Sequence, residues 1–125
     1  MRLDLVAIVV AAHDPAIEFF VSVLGFELVE DSPSVTSVGG RAKRWVVVRP
    51  PGGGAGLLLA RADGERQLAG VGEQAAGRVE DFEAAYARML EHGVAFEGLP
   101  RVEDYGKIVV FRDIAGNRWD LLGPS

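Results

Sequence analysis

Apolar positions along the chain follow two spacings, one typical of β-strands and one typical of α-helices. Residues 3–10 are an apolar, β-branched run with the length of a buried strand. The next apolar residues recur at the spacing of one helix face: Ile17, Phe20, Val21 and Leu24. Asp14 and Pro15 predict the start of this helix and Gly25 predicts its end. The chain therefore opens with a strand and a helix.

Three more strands are predicted before the middle of the chain, at residues 26–29, 43–49 and 56–60. Residues 31–40 are polar and contain Ser and Gly, which predicts a loop. A turn rich in Pro and Gly at residues 50–54 separates the last two strands. It is not a phosphate-binding loop, because no helix with a Lys-Ser or Lys-Thr pair follows it.

The second half of the chain repeats this order of elements. The predicted strands are residues 74–80, 94–96, 107–112 and 118–122. The predicted helix is capped by Asp81 and ends at Gly93, and an Asx-type turn is predicted at Asp113 with Gly116-Asn117. Corresponding positions lie 69 residues apart in the helices, as in Ile17 and Tyr86, and 63 apart at Arg49 and Arg112. The pattern indicates one βαβββ unit written twice.

Composition and charge exclude several classes of protein. The net charge is −5, and the 13 Lys and Arg are scattered, which argues against a nucleic-acid partner. No cysteine is present, so disulfides, thiolate nucleophiles and Cys-based metal sites are excluded. The opening apolar run is far shorter than the roughly 20 residues of a membrane-spanning helix. We therefore predict a cytoplasmic protein without a membrane partner.

Three segments resemble the vicinal-oxygen-chelate superfamily of glyoxalases, bleomycin resistance proteins and extradiol dioxygenases. They are residues 3–27, the helix entry at residues 79–86, and the closing strand-turn-strand at residues 105–121. The resemblance implies an α+β fold in which two tandem βαβββ modules form a U-shaped, curved mixed sheet around a cleft, with helices on the convex side. It further implies one domain with module one at 1–62, a linker at 63–70 and module two at 71–125. It also implies a homodimer.

Enzymes of this superfamily hold one divalent ion with four His, Glu or Gln side chains from the first and fourth strands of the modules. Carried over by position, these ligands fall on Leu5, on Leu57 or a neighbouring leucine, on Gln74 and on Asp120. Two of the four are hydrocarbon and cannot donate an electron pair to a metal. The resemblance therefore implies a degenerate metal site and no metal or other cofactor. Neither His13 nor His92 falls on a ligand position.

Strand alternation predicts which side chains line the cleft. If Leu5 faces it, then Ala7 does too, and the matching parity adds residues of the third strands: Trp45, Val47, Arg49, Ile108, Val110 and Arg112. The predicted surface is apolar and concave, with an aromatic wall and guanidinium groups. It suits an aromatic or hydrophobic molecule with an anionic group. The alternative is that Trp45 and the valines are core residues and Arg49 is an exposed strand end.

Three functions remain open from the sequence. The favoured one is a metal-independent protein that binds a small organic molecule, a drug or a metabolite. The second is a metal-dependent lyase, isomerase or dioxygenase of the same superfamily. The third is a structural or regulatory dimer without a ligand. No catalytic residue is assigned, because Asp120 alone does not form an acid–base pair.

Overall fold

The computed structural model describes residues 1–38, 41–62 and 74–125. These residues form two compact units, one on either side of residues 63–73. The predicted linker at 63–70 and the last two residues of the predicted loop at 31–40 lie outside the described residues. No helix in the described part of the chain is both long and apolar enough to cross a membrane.

The first unit contains one mixed sheet and one helical segment. Its elements are β1 (Leu5–Val10), α1 (His13–Glu18), a π-helical turn (Phe19–Val23), β2 (Glu27–Val38), β3 (Arg41–Arg49) and β4 (Gly56–Arg61). The four strands are ordered β1-β4-β3-β2. Strand β1 is parallel to β4, and the other neighbours are antiparallel.

The second unit has the same topology. Its elements are β5 (Gln74–Arg78), α2 (Phe82–Glu91), β6 (Ala95–Glu103), β7 (Gly106–Arg112) and β8 (Arg118–Gly123). The four strands are ordered β5-β8-β7-β6, with β5 parallel to β8 and the rest antiparallel. The predicted α+β class and the two tandem βαβββ modules are therefore confirmed.

The duplication extends to individual residue pairs. Leu5 pairs with Gly56 across β1 and β4, and Gln74 pairs with Arg118 across β5 and β8. The Val47–Leu58 pair of β3 and β4 corresponds in the same way to the Val110–Asp120 pair of β7 and β8. Leu5 is therefore equivalent to Gln74, and Leu58 is equivalent to Asp120.

In each unit the core lies between the sheet and its own helix. In the first, fully buried Phe20 belongs to the core with Val10, Val46, Val48 and Leu59. In the second, the side chains form an aromatic series in which Tyr86 of α2 packs on Phe96, Phe96 on Phe111 and Phe111 on Trp119. These residues alternate along their strands, so every other side chain of each sheet faces away from the helix.

The start of α1 differs from the sequence prediction, whereas the cap of α2 and the glycines that follow both helices agree with it. Helix α1 begins after Ala12, whose side chain cannot cap it, and Asp14 instead binds Arg44 of β3 at 2.8 Å. The prediction of Asp14 as the cap, with Pro15 at the first helical position, was wrong because α1 begins at His13 and both residues lie inside its first turn. Gly25 and Gly93 follow the helices with φ of 78° and 74°, as predicted. Asp81 caps α2 by accepting from the Ala84 amide at 3.0 Å.

Two strands are longer than the sequence predicted. Strand β2 continues to Val38 through most of the predicted loop, and β6 continues to Glu103. Both are edge strands, each pairing with a single neighbour. An edge strand can be exposed on both faces, so it carries no regular apolar alternation in its sequence.

Candidate functional site

Each sheet has one face that is turned away from its own helix, which we call its open face. Arg44, on the same side of β3 as Val46 and Val48, contacts α1 through Asp14. The helix side of the first sheet is thereby fixed. On the second sheet, Lys107 binds Glu83 of α2 and lies over the Phe82 ring, which fixes the helix side there. The open faces therefore consist of the alternate residues of each strand.

The first open face is almost entirely hydrocarbon on β1, β3 and β4, whereas β2 adds Glu27, Glu30 and Ser32 to it. Its members on the three adjoining strands are Leu5, Ala7, Val9, Gly56, Leu58, Ala60, Trp45, Val47 and Arg49. Trp45 is 39% exposed, whereas its neighbour Val47 is only 3% exposed. A half-exposed indole on an apolar strand face offers a flat contact for an aromatic or hydrophobic molecule.

The prediction that Leu57 shares this face needs a one-residue correction. Leu57 pairs with Val6 and Val48, so it lies on the helix side, where it is 9% exposed. Leu58 is the residue that pairs with Ala7 and Val47. A run of three leucines carries no alternation, so the sequence could not set its register.

Arg49 lies at one end of the first open face, and its guanidinium already has partners. One terminal nitrogen donates to the Gly54 carbonyl and the other to the Asp4 carboxylate, each at 3.2 Å. Its stem packs over Gly56, where a Cβ would lie 3.1 Å from Arg49 Cγ and 3.1 Å from Leu5 Cδ2. Arg49 therefore closes the end of the face and has little capacity left for a ligand.

On its two central strands the second open face is more polar than the first. The predicted residues Ile108, Val110 and Arg112 lie on it. Asp120 and Glu97 lie on it too, because each pairs with Val110 from a neighbouring strand. Gln74 occupies the β5 position beside Arg118. The positions that the sequence predicted in the second module therefore all lie on one face of the second sheet.

Glu97 joins two arginines on the second open face. Its Oε2 accepts from Arg118 Nε at 2.8 Å and lies 3.4 Å from Arg112 Nε. Arg112 also donates through Nη1 to the Gly116 carbonyl at 2.9 Å. The sequence analysis missed Glu97 and Arg118. Arg118 could have been found from its place two residues before Asp120 on one strand, which puts both on one face.

The donor set at the four family positions does not suit a divalent metal. Leu5 and Leu58 occupy the places that correspond to Gln74 and Asp120, and neither side chain can donate an electron pair. The residues that the structure describes contain no group of three or more His, Cys, Asp or Glu arranged to hold an ion. His13 Nε2 lies 3.0 Å from the Leu59 carbonyl, and His92 is the C-cap of α2.

Comparison with known proteins gives the family. Residues 2–121 match the model of the Glyoxalase/Bleomycin resistance protein/Dioxygenase superfamily, and the chain belongs to that superfamily. A protein of uncharacterised function from Shewanella frigidimarina is 46% identical over 124 residues, which are 94% of this chain and 89% of the relative.

Two solved structures from Streptomyces sp. CB03234 are similar over nearly the whole chain. TnmS3, described as an antibiotic binding protein, is 30% identical with a TM-score of 0.84, over 100% of this chain and 97% of its own. A glyoxalase/bleomycin resistance protein is 30% identical with a TM-score of 0.79, over 97% of this chain and 99% of its own. The superfamily thus includes an antibiotic-binding protein with closely similar architecture.

Proposed function

We propose that the protein binds a small organic molecule, a drug or a metabolite, without a metal ion. The observation that carries the proposal is the hydrocarbon pair Leu5 and Leu58 at the positions equivalent to Gln74 and Asp120. One amide and one carboxylate are too few donors to hold a first-row divalent ion. Chemistry that depends on a bound metal is therefore not part of the proposed function.

The ligand class follows from the exposed surface of the first open face. Trp45, Leu58 and Ala7 offer aromatic and aliphatic contact, and the indole N–H of Trp45 is the one hydrogen-bond donor among these three side chains. Such a surface gains free energy by removing an apolar molecule from water. The antibiotic-binding description of TnmS3 supports a ligand of drug size. We propose a planar or hydrophobic molecule that carries an anionic group.

Two further features are part of the proposal. The protein is a homodimer, which light scattering would test, since a monomeric mass in solution would contradict it. It acts in the cytoplasm, which the absence of cysteine in the sequence supports. Asp120 lines the site without being essential for binding and is not catalytic, because one carboxylate does not supply both an acid and a base.

A thermal-shift screen tests the proposal. A panel of aromatic drugs and aromatic carboxylates should contain compounds that raise the melting temperature, because binding to the native state stabilises it by mass action. No shift across a broad panel would reject ligand binding and favour a structural dimer.

Intrinsic fluorescence then locates the ligand. Of the two tryptophans, Trp45 is 39% exposed and Trp119 is 5% exposed, so a ligand on the first open face should change Trp45 emission. Trp45→Ala should abolish the ligand-dependent change. Retention of the full change in Trp45→Ala would place the ligand elsewhere. Asp120→Asn should leave binding nearly intact, and a complete loss would contradict the role given to Asp120.

A further inference from the structure

The arginines of the open faces differ in how much of each guanidinium is already bound. Arg49 uses both terminal nitrogens, and Arg112 uses Nε and Nη1. Arg118 uses only Nε, in its bond to Glu97. Among the side chains that the structure describes, none accepts from a terminal nitrogen of Arg118. The outer edge of this guanidinium therefore keeps two parallel N–H groups that can bind an acid group bidentately.

Arg118 is also held in place before any ligand arrives. Its Nε–Glu97 bond is 2.8 Å long, and the side chain is 43% exposed, so the guanidinium is fixed and still reachable. Arg78 lies on the same face but is an exposed residue at the end of β5. A guanidinium already oriented by a carboxylate loses less conformational entropy on binding than a freely moving one.

The charge of the second open face favours an anion. Its described ionisable residues are Arg78, Arg101, Arg112, Arg118, Glu97, Glu103 and Asp120, which is four cations against three anions. The face is thus net positive in a chain whose net charge is −5. Half-exposed Val110 and Leu122 on the same face offer apolar contact for the ring that carries the acid group.

We propose that the second open face binds an aromatic anion by itself, and that Arg118, positioned by Glu97, is the residue that binds its anionic group. The group is a carboxylate, sulfonate or phosphate on an aromatic ring. This inference rests on the proposed function for the class of ligand, and it assigns the anionic group to Arg118 because Arg49 and Arg112 have fewer unoccupied N–H groups. Glu97 is a positioning residue because it acts through Arg118.

Two fluorescent probes with the same ring system test the inference. Anilinonaphthalene sulfonate carries a sulfonate, and phenylnaphthylamine lacks it. The wild-type protein should bind the sulfonate about tenfold more tightly, which is the usual strength of a partly exposed charge-assisted pair. Arg118→Gln should remove this preference and leave the affinity for phenylnaphthylamine unchanged. Added salt should reduce the preference by screening.

Arg78→Gln is the matched control, because it removes the same charge from the same face. It should keep most of the preference for the sulfonate. If Arg118→Gln does not fold, Arg118→Lys keeps the charge but loses the planar fork, and it should keep only part of the preference.

The outcomes separate the two proposals. Equal affinity of the wild type for both probes, or an equal loss in Arg118→Gln and Arg78→Gln, would overturn the role of Arg118 and leave ligand binding standing. Failure of both probes to bind would overturn anion binding on the second open face, whereas the proposed function would be rejected only by the absence of any shift across the thermal-shift panel.

Discussion

At the residue scale, Asp113 shows how one buried carboxylate fixes a turn. Its Oδ1 accepts from the amides of Ala115 at 2.9 Å and Asn117 at 3.0 Å. Its Oδ2 accepts from Asn117 Nδ2 at 3.2 Å and from the indole Nε1 of Trp119 at 3.0 Å. The Asx-type turn predicted from the sequence is confirmed. The bond to Trp119 adds a direct link between this turn and the aromatic core.

Asp113→Ala should therefore be strongly destabilising. The substitution leaves buried donors of Asn117 and Trp119 without their acceptor, and we expect a loss of about 3 kcal/mol in the free energy of unfolding. Urea unfolding followed by circular dichroism measures it. Asp104→Ala, at an exposed residue near the β6–β7 turn, is the control and should change stability by less than about 0.5 kcal/mol. Equal effects of the two substitutions would contradict the role of Asp113.

Sequence alternation assigned most candidate residues to a face, and it failed where the pattern is uniform. Trp45 and Val47 alternate with Val46 and Val48 along one strand. Once the strand was identified as the third of the βαβββ unit, its alternation predicted which side chains face away from the helix. The leucines at 57, 58 and 59 are alike, and only the pairing of Leu58 with Val47 sets their faces. The partners of Arg49 and Arg118 were also beyond the sequence, because they come from other segments of the chain.

At the element scale, the strands other than β2 and β6 were predicted closely, including β1 and β5 at the opposite edges of the two sheets. Strands β1, β3, β4, β7 and β8 differ from their predicted bounds by no more than two residues. Strands β2 and β6 are much longer than predicted. Each is held by backbone hydrogen bonds to one neighbour, β3 or β7, and this pairing does not require an apolar side-chain pattern.

The start of β7 depends on a close approach to the end of β8. Gly106 has a φ of 129°, and a Cβ there would lie 2.3 Å from the Gly123 carbonyl oxygen. Gly106→Ala should therefore cost at least about 3 kcal/mol of unfolding free energy. Gly52→Ala is the matched control, since nothing lies within 4 Å of its added Cβ. A wild-type melting temperature for Gly106→Ala would show that the strand ends separate without cost.

An ion pair links β2 to β3 and makes stability depend on pH. Arg44 donates to both carboxylate oxygens of Asp31, at 2.8 and 2.7 Å, and these hydrogen bonds lower the pKa of Asp31. Because the folded pKa lies below the unfolded value, the pair stabilises the fold above about pH 4, the ordinary pKa of Asp. This contribution is lost as the pH falls through the folded pKa.

Asp31→Asn tests this pH dependence. The urea midpoint of the variant should fall below that of the wild type at neutral pH, and the difference should narrow as the pH drops below about 4. Glu30→Gln removes an exposed neighbouring carboxylate and should show no such narrowing. A difference between wild type and Asp31→Asn that stays constant down to the acid limit would contradict the assignment.

At the scale of the whole molecule, the two modules keep one topology and have diverged in chemistry. The pairs Val47–Leu58 and Val110–Asp120 occupy equivalent places, yet one ends in hydrocarbon and the other in a carboxylate. Backbone pairing specifies the fold in both modules, so substitutions on an open face can change the chemistry without changing the strand order. The repeat was visible in the sequence because the helix faces and the glycines that follow them were retained.

The metal content of the purified protein tests the central claim most directly. The protein should be produced in medium supplied with manganese, iron, nickel and zinc, purified without a metal-affinity column and dialysed against metal-free buffer before elemental analysis. Because Leu5 and Leu58 supply no electron pair, we predict no stoichiometric divalent ion after dialysis. One tightly bound ion per chain that survives dialysis would contradict the account.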